Sequence, residues 1–335
     1  MTDTSHCLAD YTAACDGQAL RIQGPQSAGP AMWGWNAAER TLQLEASTAP
    51  ALPEAVAAIG AALADIEARR GATLTLQAPA ALIAQLRTHG VALPGAQEQV
   101  ADVPAELFWQ YPSGWLEQAL PPLPQQHRMS EGRRHPLRRP QPQGVVYRRR
   151  VPWLGKTLSF HVADTEADLP HFHRWMNDPH VAEFWQEEGD LAQQRTYLER
   201  LAADPHALPL VACLDGQPFG YFEVYWAKED RLAPYYDAQD YDRGWHVLIG
   251  EPACRGAAFV SAWLPSISHY LFLDDCRTQR LVIEPRSDNA RMRRNLARSG
   301  YALVKEFDFP HKRAVLGTLL RERFFAEHLW LPQHA

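Results

Sequence analysis

The chain has 335 residues, 46% of them apolar and 21% charged; this excludes wholesale disorder and is enough for two domains. Lys and Arg total 33 against 39 Asp and Glu, a net charge of −6, which argues against a nucleic-acid partner. No run of ~18 apolar residues occurs, so no membrane span is expected. The opening MTDTSHCLADYTAACDG has neither the basic start nor the apolar stretch of a signal peptide. The five cysteines, Cys7, Cys15, Cys213, Cys254 and Cys276, are widely spaced and form no C-x-x-C, as expected of packing thiols in a reducing cytoplasm.

Residues 1–120 read as a small, Ala-rich α/β domain whose default role is scaffolding or dimerisation, with oligomerisation left open. Alternation of Thr41, Gln43 and Glu45 against Leu42 and Leu44 predicts a hairpin within 32–46. Val56, Ile59, Leu63 and Ile66 share one face of a helix over 52–70, with Gly71 as its stop. TLTLQ at 73–77 is a short strand, and a second helix ends at Gly90. This part holds His6 and His89 and no catalytic constellation. Residues 121–145 are expected to be an exposed linker or surface strap, because 121–144 hold six prolines and five arginines against one acid.

Residues 146–335 form the second domain. Strands are expected at Val146–Tyr147 and Leu158–Val162, and helical segments over 165–185, broken at Pro179, and over 191–203. LPLVACLDGQPFGYFEVYWA is a hairpin around Asp215-Gly216. GWHVLIG is a strand, followed by a loop and a helix over 257–273 interrupted near Pro265. RLVIEP is a buried-type strand. SDNARMRRNLARSG is a helix capped by Ser287 or Asp288, and YALVKEFDF and RAVLGTLL are two further strands.

Small residues where a strand turns into a helix let backbone N–H groups approach a phosphate, and the helix dipole favours its charge. Arg255, Gly256, Ala257 and Ala258 occupy such a turn. His171, His173 and His180 fit neither H-E-x-x-H nor a Cys pairing, so no metal is expected.

The order strand, loop, helix, strand, capped helix resembles the acetyl-CoA-dependent GNAT acyltransferase superfamily. Gly256 and Ala258 match later positions of its pyrophosphate loop, with Ala253 where Gln or Arg is usual; Asn289 and Gly300-Tyr301 match its last helix. Many members carry a proton-donating Tyr seven residues after that Asn, where this chain has Leu296. HRWMNDPHVAEFW at 173–185, GWHVLIG at 244–250 and Asp288-Asn289 are similar to the siderophore hydroxamate acyltransferases of aerobactin, alcaligin and rhizobactin assembly, and to the mycobactin lysine acyltransferase.

The resemblance implies an α/β GNAT fold, a mixed and mostly antiparallel sheet flanked by helices, with an extra N-terminal α/β domain. It implies acyl transfer from acetyl-CoA or another acyl-CoA to N6-hydroxylysine, hydroxyornithine or a hydroxylated diamine, giving a hydroxamate. The carry-over makes His246 the general base, assisted by Asp288. Leu248, Ile249, Gly250, Arg255, Gly256, Ala257, Ala258 and Asn289 would hold the cosubstrate. His173, Trp175, Asn177, Phe184 and Trp185 would line the acceptor pocket. The chemistry agrees: the attacking nitrogen loses a proton, which suits a histidine titrating near neutrality, and a backbone N–H near Leu248–Gly250 would receive the oxyanion. If Asp288 protonates the departing thiolate, burial must raise its pKa. A siderophore synthetase or an N-hydroxylase would be a partner. The competing readings are a GNAT enzyme for another primary amine, such as an antibiotic, and a non-catalytic acyl-CoA-binding scaffold.

Overall fold

The structure is a computed structural model and describes residues 2–3, 10–25, 29–45, 50–66 and 72–332. His6, Cys7, Gly71 and the Ile66 side chain lie outside the described residues. The chain divides into two units. One comprises Met1–Leu116, Arg148–Thr157 and Phe325–Leu331; the other comprises Glu117–Tyr147, Leu158–Phe324 and Pro332–Ala335.

The first unit is built on a sheet whose central strands include Ala31–Asn36, Thr41–Leu44 and Thr73–Gln77. Ala31–Asn36 and Thr41–Leu44 form the expected hairpin, with Leu42 and Leu44 buried. Thr41–Leu44 then runs parallel to Thr73–Gln77, the intervening chain including the helix Leu52–Ile66. Val56, Ile59 and Leu63 of that helix are buried. The strands Thr12–Asp16 and Ala19–Gln23 extend the sheet and escaped the sequence reading, although Leu20 and Ile22 alternate with Arg21.

The second sheet has eight strands: β1 Val145–Val151, β2 Lys156–Val162, β3 Ala207–Leu214, β4 Gln217–Trp226, β5 Arg243–Ile249, β6 Arg280–Ile283, β7 Ala302–Asp308 and β8 Arg313–Leu320. Their spatial order is β1-β2-β3-β4-β5-β6-β8-β7. The contacts are antiparallel along β2-β3-β4-β5 and β6-β8-β7, with one parallel junction between β5 and β6. Asp215 and Gly216 take φ of 48° and 77°, the two left-handed residues that a tight β3–β4 hairpin needs. The flanking helices are α1 Leu169–Met176, α2 Pro179–Trp185, α3 Leu191–Ala203, α4 Ala257–Asp274 and α5 Ala290–Arg298.

Two elements differ from the sequence reading. Helix α4 runs through Pro265 without interruption, its middle buried on all sides, so packing overrides the local cost of proline. Residues 127–136 form a hairpin, His127–Ser130 with Arg133–Pro136. The arginines that follow are engaged rather than free. Arg138 holds both carboxylate oxygens of Glu229 at 2.6 and 2.8 Å, and its guanidinium lies 3.9 Å from the Trp226 ring centre.

The β5–β6 junction positions the site. These strands pair only at Arg243↔Leu281 and Gly244↔Val282, and then part. Glycine is required at Gly244 in β5 and at Gly250 just beyond it. A Cβ on Gly244 would lie 2.1 Å from the Tyr225 ring, and one on Gly250 would lie 2.0 Å from the Trp175 ring. Trp175 is itself fixed in the core under α1, with Phe172, Val181 and Leu248. Gly250→Ala should therefore destabilise the fold by about 1–3 kcal/mol through overpacking. Chemical denaturation checks this: an unchanged midpoint would mean that Trp175 is free to move.

Candidate active site

His246 lies on β5 directly opposite Glu223 of β4, so their side chains share one face of the sheet. On the other flank, His246 and Glu284 each stand two residues beyond the last parallel rung, Gly244↔Val282, and two residues return a strand to the same face. Thus Glu284 closes the gap where the ladder ends. The His246 ring bonds both carboxylates: Nε2 to Glu284 Oε1 at 2.8 Å and Nδ1 to Glu223 Oε2 at 3.2 Å.

The carboxylates are fixed in turn. Tyr225 donates to Glu284 at 2.7 Å, and the Lys312 ammonium lies 3.8 Å from Glu284. Glu223 accepts from Tyr197 at 2.7 Å and Tyr221 at 3.3 Å. The Glu284 side chain is fully buried, whereas that of His246 keeps 24% of its surface exposed. Burial disfavours the imidazolium, but the Glu284 charge and the bonds to both carboxylates outweigh it and push His246 up to about 10. Burial also opposes the charge on Glu284, yet His246 and Lys312 hold its carboxyl well below the usual range. His246 is therefore an imidazolium at neutral pH, not the free base titrating near neutrality that the sequence suggested.

The parting of β5 and β6 opens a cleft of about 340 Å³. Leu248, Ile249, Arg255, Gly256 and Asn289 line it, with Phe184, Trp185 and Asp288. The carbonyls of Val247 and Ile249 face this side, taking bonds from Trp185 Nε1 at 3.2 Å and Arg255 Nε at 3.0 Å. Arg255 also pairs with Asp178 at 3.2 Å. Gly256 caps the 18-residue helix α4 with φ 122°, and Ala257 and Ala258 form its exposed first turn. The N–H groups of a helix's first turn can receive a phosphate.

Several expected residues do other work. Asp288 is exposed and bound to Arg286 at 2.6 Å, which holds its carboxyl below the usual range, so it is not a buried acid with a raised pKa. Asn289, rather than Ser287 or Asp288, caps α5, accepting from Met292 N at 3.0 Å. The Gly250 N–H is spent on the Phe219 carbonyl at 3.0 Å, which removes it as an oxyanion donor. In the 173–185 run, Phe184 and Trp185 reach the cleft, with the Trp185 ring 6.4 Å from that of His246. Trp175 is core, its Nε1 on Glu251 at 2.9 Å. Asn177 clasps the Gly189 backbone and His173 sits in the last turn of α1; neither lines the cleft.

Glu223 and Glu284 escaped the sequence reading. The signal was an acid inside each of two otherwise apolar runs, YFEVYW and RLVIEP. Among the described residues, His135, His206 and Glu229 bring metal-ligating atoms within 4.8 Å of one another. Arg138 already places a cation against both oxygens of Glu229, so the group reads as an ion-pair cluster.

A family model for the GNAT acetyltransferase domain matches residues 164–309. This stretch is a GNAT acetyltransferase domain. An N(6)-hydroxylysine O-acetyltransferase of Escherichia coli is 50% identical over 192 residues, 57% of this chain and 61% of that protein. An N(5)-hydroxyornithine:cis-anhydromevalonyl coenzyme A-N(5)-transacylase of Beauveria bassiana is 49% identical over 195 residues, 57% of this chain and 43% of that protein. The chain thus spans less than two thirds of the length of these two curated relatives. A solved structure of an uncharacterised Bacillus halodurans protein is similar with a TM-score of 0.50 and 30% identity, covering 53% of this chain and 90% of that one. The resemblance to the hydroxamate acyltransferases and the GNAT fold with an added N-terminal sheet both stand. No helix among the described residues is long and apolar enough to cross a membrane.

Two measurements test the site of the GNAT domain. A Cβ on Gly256 meets nothing within 4 Å, but φ 122° is strained for any other residue. Gly256→Val should raise the KM for acyl-CoA about tenfold or more and, through that strain, lower the melting temperature by a few degrees, ~1–3 kcal/mol; an unchanged KM would put the phosphates elsewhere. The raised His246 value makes stability depend on pH. Its contribution is complete below the ordinary value of 6.5 and is lost as pH rises towards about 10. The stability gap between wild type and His246→Gln should narrow over that window, by at most about 1.4 kcal/mol per pH unit. A constant gap would show that His246 is neutral in the folded protein.

Proposed function

We propose that this protein is an acyl-CoA-dependent N-acyltransferase that acylates an N-hydroxylated amine to a hydroxamate for siderophore assembly. The observation that carries this is the pair of relatives, about half identical over 57% of this chain, whose names specify hydroxylysine and hydroxyornithine. The reading implies a cytoplasmic enzyme fed by an N-hydroxylase and followed by a siderophore synthetase.

Acyl-CoA is the cosubstrate, with its pyrophosphate at the N–H groups of Gly256–Ala258 and its thioester beside β5. The nucleophile's nitrogen adds to the thioester carbonyl. A strand residue turns its N–H to the same side as its carbonyl, so Val247 and Ile249 offer N–H groups towards the gap for the oxyanion. The C–N bond forms, the C–S bond breaks as the thiolate takes the His246 proton, and the neutral imidazole so formed takes the proton that the nitrogen sheds. His246 enters as the imidazolium. Using it as a neutral base at pH 7 would cost about 4 kcal/mol if it titrates at about 10. Its positive charge instead favours both the oxyanion and the thiolate.

A hydroxylamine nitrogen suits a cluster with no free base. The attached oxygen lowers its basicity, so it arrives neutral, whereas an alkylamine arrives as ammonium and must first be deprotonated.

His246→Ala should lower kcat by ~10²–10⁴ while acyl-CoA binding persists. The wild-type kcat should be flat between pH 6.5 and 9; a rising limb near pH 7 would restore the neutral base. Lysine, cadaverine and putrescine should react far more slowly than their N-hydroxy forms in an assay of thiol release. Equal kcat/KM would replace this reading with acetylation of a primary amine.

A further inference from the structure

A second cleft, of about 600 Å³, lies in the same unit. Its walls come from the hairpin around Ser130–Arg133, from the turn between α3 and β3 at Asp204–Ala207, and from the end of β4 with the loop after it, Tyr225–Arg231. Two of its lining residues belong to the surroundings of His246. Tyr225 donates to Glu284, and its ring lies 4.9 Å from the His246 ring. The Arg231 guanidinium lies 3.8 Å from Glu284. His246 therefore neighbours a lining residue of each cleft, Trp185 of the β5–β6 cleft and Tyr225 of this one.

The chemistry of the second cleft differs from that of the first. Tyr225, Trp226 and Ala207 give it apolar walls, and Glu131, Asp204, Glu229 and Asp230 give it acids. Most of its charges are already matched. Glu229 is taken by Arg138. Arg133 donates to the carbonyls of Glu229 and Asp230 and so holds the loop in place. Asp204 has His206 at 3.6 Å.

Apart from Glu131, which is exposed, Asp230 is the exception. Its carboxylate accepts the Leu232 N–H at 2.8 Å, and no Lys, Arg or His nitrogen among the described residues comes within 4 Å of it. Burial and the nearby Glu284 raise its pKa, His246, the Leu232 N–H and Arg231 oppose them, and a cation bound there would favour its charged form. An alkyl chain ending in an ammonium fits these features: methylenes between the aromatic walls, charge on Asp230. A neutral, reactive head at the other end is what His246 accepts.

We propose that this second cleft is the acceptor site, that the acceptor's hydroxyamino end passes Tyr225 to reach His246, and that Asp230 binds the ammonium at its far end. The proposal rests on the N-acyltransferase reading and adds to it a site, a substrate charge and a specificity residue. It moves the acceptor away from His173, Trp175 and Asn177, and it leaves Phe184 and Trp185 to the cosubstrate cleft.

The test compares N-hydroxycadaverine, which carries a far ammonium, with N-hydroxypentylamine, which does not. Wild type and Asp230→Asn are compared by turnover with acetyl-CoA and by equilibrium binding to the CoA-loaded protein. Asparagine keeps an oxygen for the Leu232 N–H, so the variant should fold, and its melting temperature is recorded. Wild type should bind N-hydroxycadaverine 10–100-fold better than N-hydroxypentylamine. In Asp230→Asn that preference should collapse, with KM for the charged acceptor rising by the same factor and KM for acetyl-CoA unchanged. A preference that survives in Asp230→Asn overturns the proposal, as does wild type that binds both compounds equally. Absence of turnover with either compound would sink the N-acyltransferase reading, and the binding arm would still decide whether Asp230 selects a cation. Should Asp230→Asn melt early, Asp230→Glu is the second variant: it keeps the charge, and retention of the preference supports the proposal while its loss opposes it.

Discussion

The organising constraint in the second unit is the early end of the β5–β6 ladder. A parallel pair that continued would bury the edge of β5 in hydrogen bonds and leave no opening in the sheet. Here it stops after Gly244↔Val282. Beyond that point the sheet is held by side chains instead: His246 reaches across to Glu284, while Trp185 and Arg255 take the carbonyls of Val247 and Ile249. The gap, the helix N-terminus at Gly256 and the buried charges all follow from the one break. Gly244 and Gly250 permit it, because a Cβ at either would collide with the aromatic ring that fills the space.

The charge arrangement has its own logic. Burying one imidazolium or one carboxylate alone is costly, and two carboxylates around one imidazolium still leave a net negative charge. Lys312 and Arg231, each 3.8 Å from Glu284, offset that charge, and three tyrosine hydroxyls supply the remaining donors. Such a cluster holds protons firmly rather than exchanging them easily. It favours chemistry in which a neutral nucleophile attacks and a proton only changes place, and disfavours chemistry that begins by stripping an ammonium ion.

Much of this was legible in the residues. Strand-forming runs placed β3 to β8, and Asp215-Gly216 marked the β3–β4 turn. The run from Trp245 to Ala258 announced a strand, a turn and a helix start, and the structure places Leu248, Ile249, Arg255 and Gly256 around one cleft. The errors were those of reading sequence neighbours as spatial partners. Asp288 lies next to the cap residue and looked like an assisting acid, yet it is exposed and neutralised by Arg286 two residues away. Trp175 and Asn177 belong to a distinctive motif, and they serve packing and loop closure.

Local pattern and composition determined which segments would be strands and helices, where the backbone could bend left-handed, and that His246 would sit in a buried strand of a GNAT-like order. They determined nothing about which charges meet. Glu223 and Glu284 are separated from His246 by 23 and 38 positions, and only strand register brings them to its two nitrogens. Register depends on where each ladder begins and ends, which is settled by long-range packing rather than by local alternation. The protonation state of His246 follows from those contacts, and so does the second cleft beside Tyr225. The sequence could name the histidine; only the tertiary structure decided that it would be charged.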